Sequence, residues 1–120
     1  MLLPLIRVCF WTAAAFAFVM AVLPQPPALP TPDKVQHMIA FFTLAVLGSA
    51  AYPLISPIRL VALLCVFGGL IELAQMTPAL NRDGDLLDWA ADILAAAVGL
   101  FLVYAWRRVR SLQQPSIGDN

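Results

Sequence analysis

Charged side chains are scarce in this sequence. Asp, Glu, Lys and Arg make up 12% of the 120 residues, whereas 62% are hydrophobic, and the mean hydropathy is +0.86. A water-soluble domain of this length needs far more polar surface, so the composition predicts an integral membrane protein instead. The formal net charge of zero argues against a nucleic-acid partner, because binding one requires a basic face to neutralise phosphates.

Recognisable metal-binding and nucleophilic motifs are also lacking. His37 is the only histidine, there is no HExxH motif, and Cys9 and Cys65 lie in apolar runs without CxxC spacing. The two cysteines are therefore interpreted as small apolar side chains. The sequence predicts no metal and no cofactor. Whether the chain is an enzyme stays open, because no nucleophile and base can be paired from the sequence.

Four apolar runs are long enough to cross a membrane. They predict an all-α membrane protein, a bundle of four transmembrane helices in one domain over residues 1–110, and a disordered cytoplasmic tail over 111–120. The first run could also be a signal peptide with Arg7 as its basic region. An uncleaved span is favoured, because no clean small-x-small cleavage site precedes the prolines. The predicted spans are about 5–23, 34–52, 58–76 and 86–106.

Capping residues and prolines predict where the helices begin. Thr31 is the expected N-cap of the second span, with Pro32 at its first position, and Ser56 followed by Pro57 starts the third. Asp85 is expected to cap the fourth span, with a carboxylate three residues later, as in a capping box. The connector after the first span is expected to be extended and polyproline-like, because of Pro24, Pro26, Pro27, Pro30 and Pro32.

Small residues recur at helical spacing on three of the spans, which allows neighbouring helices to approach closely. Short turns make the second and third spans antiparallel neighbours, and likewise the third and fourth. Packing is expected along the stripes Ala13/Ala17/Ala21, Ala45/Ser49 and Ala91/Ala95/Gly99.

Basic residues flanking the spans predict the orientation. Five of them lie at one end of the bundle and two at the other. The end with five is expected on the cytoplasmic side of a bacterial inner membrane, and it carries both termini. The five are Arg7, Arg59, Arg107, Arg108 and Arg110, and the two are Lys34 and Arg82. Most polar side chains then gather at the extracytoplasmic end.

Glu72 is the most informative single residue. It lies in an apolar run, six residues before Pro78 ends the helix, about 9 Å below the helix end at 1.5 Å per residue. A charge inside hydrocarbon costs roughly 2.5–3.5 kcal/mol or more, so such a residue is a functional-site candidate by default and needs partners. Arg82 is the expected partner, bridging to Glu72 or Asp88 with two hydrogen bonds.

Helical spacing places further polar groups on shared faces at the same level. Lipid cannot solvate them, so they are expected to converge. Asp33 has a structural alternative at the helix dipole, Asp83 is expected to be solvated, and the tryptophans are expected to be interface anchors. The predicted ligand-binding residues are Asp33, Lys34, His37, Glu72, Gln75, Arg82, Asp88 and Asp92. The catalytic candidates are His37, Glu72 and Asp88.

At these residues the chain resembles the VanZ-like family of small bacterial membrane proteins. The resemblance covers roughly residues 33–99 and is carried by Asp33-Lys34-x-x-His37, Glu72-x-x-Gln75 and Arg82-x-Gly84-x-x-x-Asp88. Phe41, Asp92 and Ala95 depart from it, since tyrosine, asparagine and glycine are common there. It implies a four-helix membrane domain and a cell-envelope role, and the founding member is linked to resistance to the glycopeptide antibiotic teicoplanin. It implies no settled chemistry.

Three functions remain in competition. The first is a non-catalytic protein whose polar site binds a lipid-linked or cell-wall ligand, or a partner, at the membrane surface. The second is an intramembrane acid–base or metal-assisted enzyme acting on a lipid-linked precursor, for which His37, Glu72 and Asp88 have suitable ligand types. The third is proton-coupled export, which is disfavoured because Glu72 lies near one end of its span. The oligomeric state is left open.

Overall fold

Helices account for most of the chain in the computed structural model, which describes residues 1–24, 28, 30–80 and 82–114. No strand occurs in these ranges. The predicted all-helical class is therefore confirmed, and all four helices are long and apolar enough to cross a membrane. The helices are α1 (Leu2–Val22), α2 (Asp33–Ala51), α3 (Pro57–Gln75) and α4 (Leu86–Gln113), with a 3₁₀ turn at Pro78–Leu80.

Local capping sets the starts of α3 and α4 as predicted. The Ser56 hydroxyl accepts a hydrogen bond from the Arg59 amide at 3.4 Å, and Pro57 is the first helical residue. The Asp85 carboxylate accepts from the Leu87 amide at 2.9 Å. Side-chain oxygens that satisfy free amides of the first turn stabilise a helix start by roughly 0.5–2 kcal/mol.

The predicted start of α2 is wrong by one residue. Pro32, not Thr31, is the N-cap, and no side chain caps the helix. Pro32 has φ −57° and ψ 146°, an extended backbone conformation, so the helix begins after the proline, at Asp33. The middle of the predicted polyproline connector, including Pro26 and Pro27, lies outside the described residues.

The helix α4 is longer than its predicted span. It continues to Gln113, so residues 111–113, which the composition assigned to a disordered tail, are helical. The last turns carry Arg110, whose guanidinium lies 4.8 Å from the ring centroid of Trp106. A cation near a helix C-terminus interacts favourably with the helix dipole, so Arg110 contributes to the stability of these last turns. Residues 115–120 lie outside the described part of the chain.

The helix α2 packs against all three others, and its most extensive contact is with α4. A Cβ atom on Gly99 would lie 3.1 Å from the carbonyl oxygen of Phe42 and 3.4 Å from the Cβ of Ala45. The two backbones therefore approach closely where the stripes of small residues meet, as predicted for these two stripes. This contact fixes the register of α4 along α2.

The outer faces of the bundle are apolar. Leu63, Val66, Leu70 and Leu73 follow one face of α3 and are each more than half exposed. Such a continuous apolar face is unfavourable in water, whereas it matches the hydrocarbon of a bilayer.

Arginines from two helices cap the last turn of α2. The Arg7 Nε donates to the Ala51 carbonyl at 3.1 Å, and an Arg107 guanidinium nitrogen donates to the Ser49 carbonyl at 3.1 Å. The last carbonyls of a helix have no partner within it and carry partial negative charge. The start of α1, the end of α2 and the later turns of α4 thus share one basic end of the bundle, opposite the end that carries Asp33 and Glu72.

Candidate functional site

Polar side chains from α2, α3, α4 and the loop before α4 meet at the end of the bundle opposite the basic one. The convergence that the spacing predicted is therefore observed. Together these residues are called the polar cluster. Its members are Asp33, Lys34, His37, Glu72, Arg82, Asp85, Asp88 and Asp92.

Two ion pairs form the outer layer of the polar cluster. The Lys34 ammonium lies 3.3 Å from Asp88, and the Arg82 guanidinium lies 3.3 Å from Asp33. Lys34 was among the expected partners of Asp88. The prediction that Arg82 bridges to Glu72 or Asp88 is wrong, because its loop runs at the level of the helix ends. Asp33, 57% exposed at the first turn of α2, lies at that level.

Glu72 is held by the backbone of the loop instead of by a cation. It is 2% exposed, and its Oε2 accepts a hydrogen bond from the Asp85 amide at 2.9 Å. In a capping box, the side chain of the third helical residue, here Asp88, would accept this hydrogen bond from the N-cap amide. Here Glu72 makes it from α3, while Asp88 pairs with Lys34. The sequence predicted only a capping role for Asp85. Its amide also makes it a member of the site.

Gly84 allows the loop to lie directly against the end of α3. A Cβ atom at this position would lie 2.6 Å from the Met76 Cγ, 3.1 Å from the Glu72 carbonyl oxygen and 3.2 Å from the Met76 amide nitrogen. Any side chain here would push the loop away from the helix. The approach of the Asp85 amide to Glu72 therefore depends on this glycine.

An inner layer of the polar cluster joins His37, Glu72 and Asp92. One ligand atom from each lies within 4.8 Å of the other two. His37 Nδ1 is 3.9 Å from Asp92, and Nε2 is 3.8 Å from Asp33, both too long for hydrogen bonds. The sequence grouped Asp88 with His37 and Glu72. Asp92 takes that place, because Asp88 lies one turn nearer the helix start and pairs with a lysine.

Three carboxylate oxygens of this inner layer have no hydrogen-bond partner among the described residues. They are both oxygens of Asp92, which is 0% exposed, and Oε1 of Glu72. Buried side-chain oxygens in proteins are nearly always bonded to a donor, to water or to a metal. These three oxygens are therefore the atoms of the site whose hydrogen-bonding capacity is unsatisfied.

Gln75 does not join the polar cluster. Its side chain is buried, and its amide Nε2 donates to the Ala21 carbonyl at 3.0 Å. Ala21 is in the last turn of α1, whose carbonyls have no partner within the helix. The prediction that Gln75 lines the site with Glu72 is wrong in this respect. Gln75 instead ties α3 to α1.

Substituting Gln75 by alanine is expected to lower the free energy of unfolding by about 1–3 kcal/mol, because a buried carbonyl loses its donor. Thermal unfolding of the purified chain in detergent measures this. Gln36→Ala is the matched control, since the Gln36 amide bonds the Thr31 carbonyl at an exposed position. An equal loss in both variants would contradict the structural role of Gln75.

Trp89 has a packing role that the prediction of the tryptophans as interface anchors did not include. Its indole Nε1 donates to the Cys65 carbonyl at 3.0 Å. A Cβ atom on Gly68 would lie 3.2 Å from both the Trp89 ring and the Phe41 ring. Trp89 thus packs α4 onto α3 directly beneath the polar cluster.

A cavity of about 150 Å³ opens beside the polar cluster, between α1 and α2. One part of its lining is polar and belongs to the first turns of α2. The remainder is apolar. The polar lining residues are Asp33, Gln36 and His37, and the apolar ones are Phe16, Ala17, Met20, Ala21, Ala40, Phe41 and Ile71.

The polar cluster contains most of the residues on which the sequence resemblance was based, but not Gln75. Asp33, His37, Glu72, Arg82 and Asp88 all belong to the polar cluster. The VanZ-like assignment itself stays a prediction. No protein-family model, curated protein or solved structure matches the chain.

Proposed function

We propose that the chain is an integral membrane protein of the bacterial cell envelope whose polar cluster faces outward and binds an amphiphilic envelope ligand. The division of basic residues supports the orientation, because the end rich in arginine stays in the cytoplasm. The VanZ-like resemblance supports the same compartment.

The cavity between α1 and α2 is the observation that carries this proposal. Its volume of about 150 Å³ is enough for an apolar group of the size of benzene or a short stretch of alkyl chain. Phe16 and Met20 line it from α1, while Asp33 and His37 line it from α2. A ligand with an apolar body and a polar head group matches both parts of this lining.

The charges of the polar cluster favour a cationic or hydrogen-donating head group. Five carboxyl groups face two cationic side chains, which leaves a formal excess of three negative charges. The two cations are already paired, and Asp33 and His37 of the polar cluster line the cavity. An anionic head group would be repelled by the excess negative charge of the cluster, whereas an ammonium would be attracted.

Photocrosslinking tests the proposal with a defined probe. The purified chain in lipid nanodiscs is irradiated with a dodecylamine that carries a diazirine in its chain, and labelled peptides are identified by mass spectrometry. We expect labelling of α1 and α2 at the cavity. The matched dodecyl phosphate should label these peptides much less.

Substitution Ala17→Leu fills the cavity from α1 and is expected to reduce the labelling roughly tenfold, which corresponds to about 1.4 kcal/mol. Ala15→Leu is the matched control, because Ala15 is exposed on the same helix and does not line the cavity. Equal labelling of Ala17→Leu and the wild type, or preference for the phosphate probe, would count against amphiphile binding at this site.

A further inference from the structure

We propose that His37, Glu72 and Asp92 form a binding site for a divalent transition-metal ion, with Zn²⁺ as the representative ion. The three residues come from α2, α3 and α4, and their ligand atoms lie within 4.8 Å of one another. The proposal goes beyond ligand binding in the cavity and requires neither the outward orientation nor the amphiphile. It reverses the sequence-based prediction of no metal.

The unpartnered oxygens are the first observation that points to an ion. Both oxygens of Asp92 and Oε1 of Glu72 are buried without a hydrogen-bond partner among the described residues. One oxygen of each carboxylate lies within 4.8 Å of the other and of a His37 ring nitrogen, and His37 Nδ1 is 3.9 Å from Asp92. Two ionised carboxylates cannot satisfy each other, because neither carries a donor. A cation placed among them would bond one oxygen of each carboxylate and offset the charge of both groups.

The protein's own cations are used elsewhere. Lys34 pairs with Asp88 and Arg82 pairs with Asp33, each at 3.3 Å. Both pairs lie in the outer layer of the polar cluster and neither reaches the buried oxygens. Of the carboxyl groups left without a cationic side chain, Glu72 and Asp92 lie in the inner layer, where an added divalent ion is most favoured.

The donor set determines the class of ion. One imidazole nitrogen and two carboxylate oxygens suit Zn²⁺ and related transition metals. Ca²⁺ takes 6–8 oxygen ligands and Mg²⁺ keeps several waters in a near-ideal octahedron, so three residues with an imidazole are a poor match for either. With three protein ligands, a tetrahedral ion would keep one position for water or for a ligand group.

The spacing of the donors is compatible with an ion after small adjustments. Two donors bonded to Zn²⁺ at about 2.1 Å lie roughly 3.4 Å apart in a tetrahedral site and can be at most about 4.2 Å apart. The distance of 3.9 Å between His37 Nδ1 and Asp92 is inside that limit. Donor atoms as far apart as 4.8 Å would have to come closer, which rotation of the carboxylates allows. No hydrogen bond from the described residues holds the Asp92 carboxylate in its present orientation.

Neighbouring groups lie where they can hold two of the three donors in place. Asp33 lies 3.8 Å from His37 Nε2, beyond hydrogen-bond distance, and a small approach of its carboxylate would orient the imidazole with Nδ1 towards the ion. Asp85 donates its amide to Glu72 Oε2 and leaves Oε1 free. Carboxylates and backbone groups in these positions typically fix ligand orientation and tune metal affinity.

Metal binding is tested on the full chain, purified in detergent through a histidine-free tag and stripped with a chelator. Equilibrium dialysis against Zn²⁺, followed by elemental analysis, is expected to give about one ion per chain. Asp92→Asn is expected to weaken Zn²⁺ binding by more than roughly 100-fold. Removing a group that only holds a metal ligand in place already lowers metal affinity by roughly 10–100-fold. Asp83→Asn is the matched control, because Asp83 is exposed and outside the polar cluster.

The single histidine provides a second measurement that needs no variant. Diethyl pyrocarbonate acylates the free lone pair of an imidazole, and only His37 can react in this way. With Nδ1 bound to Zn²⁺ and the proton on Nε2, no lone pair remains, so we expect Zn²⁺ to suppress the modification. Unchanged modification in saturating Zn²⁺, or equal Zn²⁺ affinity of Asp92→Asn and the wild type, would overturn the site.

Discussion

Replacing Gly84 by alanine is expected to lower the free energy of unfolding by about 2–4 kcal/mol. The added Cβ would lie 3.1 Å from the Glu72 carbonyl oxygen and 3.2 Å from the Met76 amide nitrogen, which are backbone atoms of the end of α3. The Met76 side chain can rotate away, but these backbone atoms cannot. The loop must therefore retreat, and the bond from the Asp85 amide to buried Glu72 is lost.

Gly69→Ala is the matched control for this substitution. A Cβ at position 69 would lie 3.7 Å from the Trp89 ring, an ordinary van der Waals contact, in the middle of α3. Alanine is preferred to glycine inside a helix by roughly 0.5–1 kcal/mol, so this variant should be neutral or slightly more stable. Thermal unfolding of both variants in the same detergent measures the difference. A Gly84→Ala chain as stable as Gly69→Ala would contradict the close packing of the loop.

Local signals explain which parts of the fold could be predicted from the sequence. The starts of α3 and α4 depend on Ser56 and Asp85, each of which bonds an amide two or three residues away. Apolar runs of membrane length likewise identify the four helices. The start of α2 was misplaced, because a threonine before a proline suggests a cap that the extended Pro32 backbone does not use.

Partners across helices could not be predicted in the same way. Arg82 was expected at Glu72 or Asp88, and its choice of Asp33 depends on how the loop lies over the start of α2. Gln75 shares a helix with Glu72, three residues away, but its side chain bonds α1. Spacing along one helix identifies a shared face, whereas the neighbour that this face meets is set by packing.

The level at which the acidic residues of α4 meet the other helices also could not be predicted from the sequence. Asp88 and Asp92 share a face and are about 6 Å apart along the helix axis, so spacing alone could not decide which one meets His37 and Glu72. The register of α4 against α2 decides it, and the close contact of Gly99 with Phe42 fixes that register. Asp92 is consequently placed in the inner layer and Asp88 in the outer one.

Substituting Asp92 by asparagine is expected to have opposite effects with and without metal. In a chelator the variant should be more stable than the wild type by about 1–3 kcal/mol, because a buried, unpartnered carboxylate becomes a neutral amide. The new amide can also donate to Glu72 Oε1, which has no donor among the described residues of the wild type. The wild type is therefore the less stable chain whenever the site is stripped.

Zn²⁺ should reduce or reverse this difference in stability between Asp92→Asn and the wild type. An ion that binds only the folded chain stabilises it by about 2.7 kcal/mol at 100 times its dissociation constant. The wild type gains this stabilisation and Asp92→Asn does not, so their melting temperatures should converge or cross as Zn²⁺ is added to nanodiscs. Asp83→Asn, altered at an exposed position, should follow the wild type in both conditions. A loss of stability in chelator would show that Asp92 already has a partner, and equal gains from Zn²⁺ in wild type and Asp92→Asn would place the ion elsewhere. The charge that the fold buries at Asp92 is thus unfavourable on its own and becomes favourable through the ion.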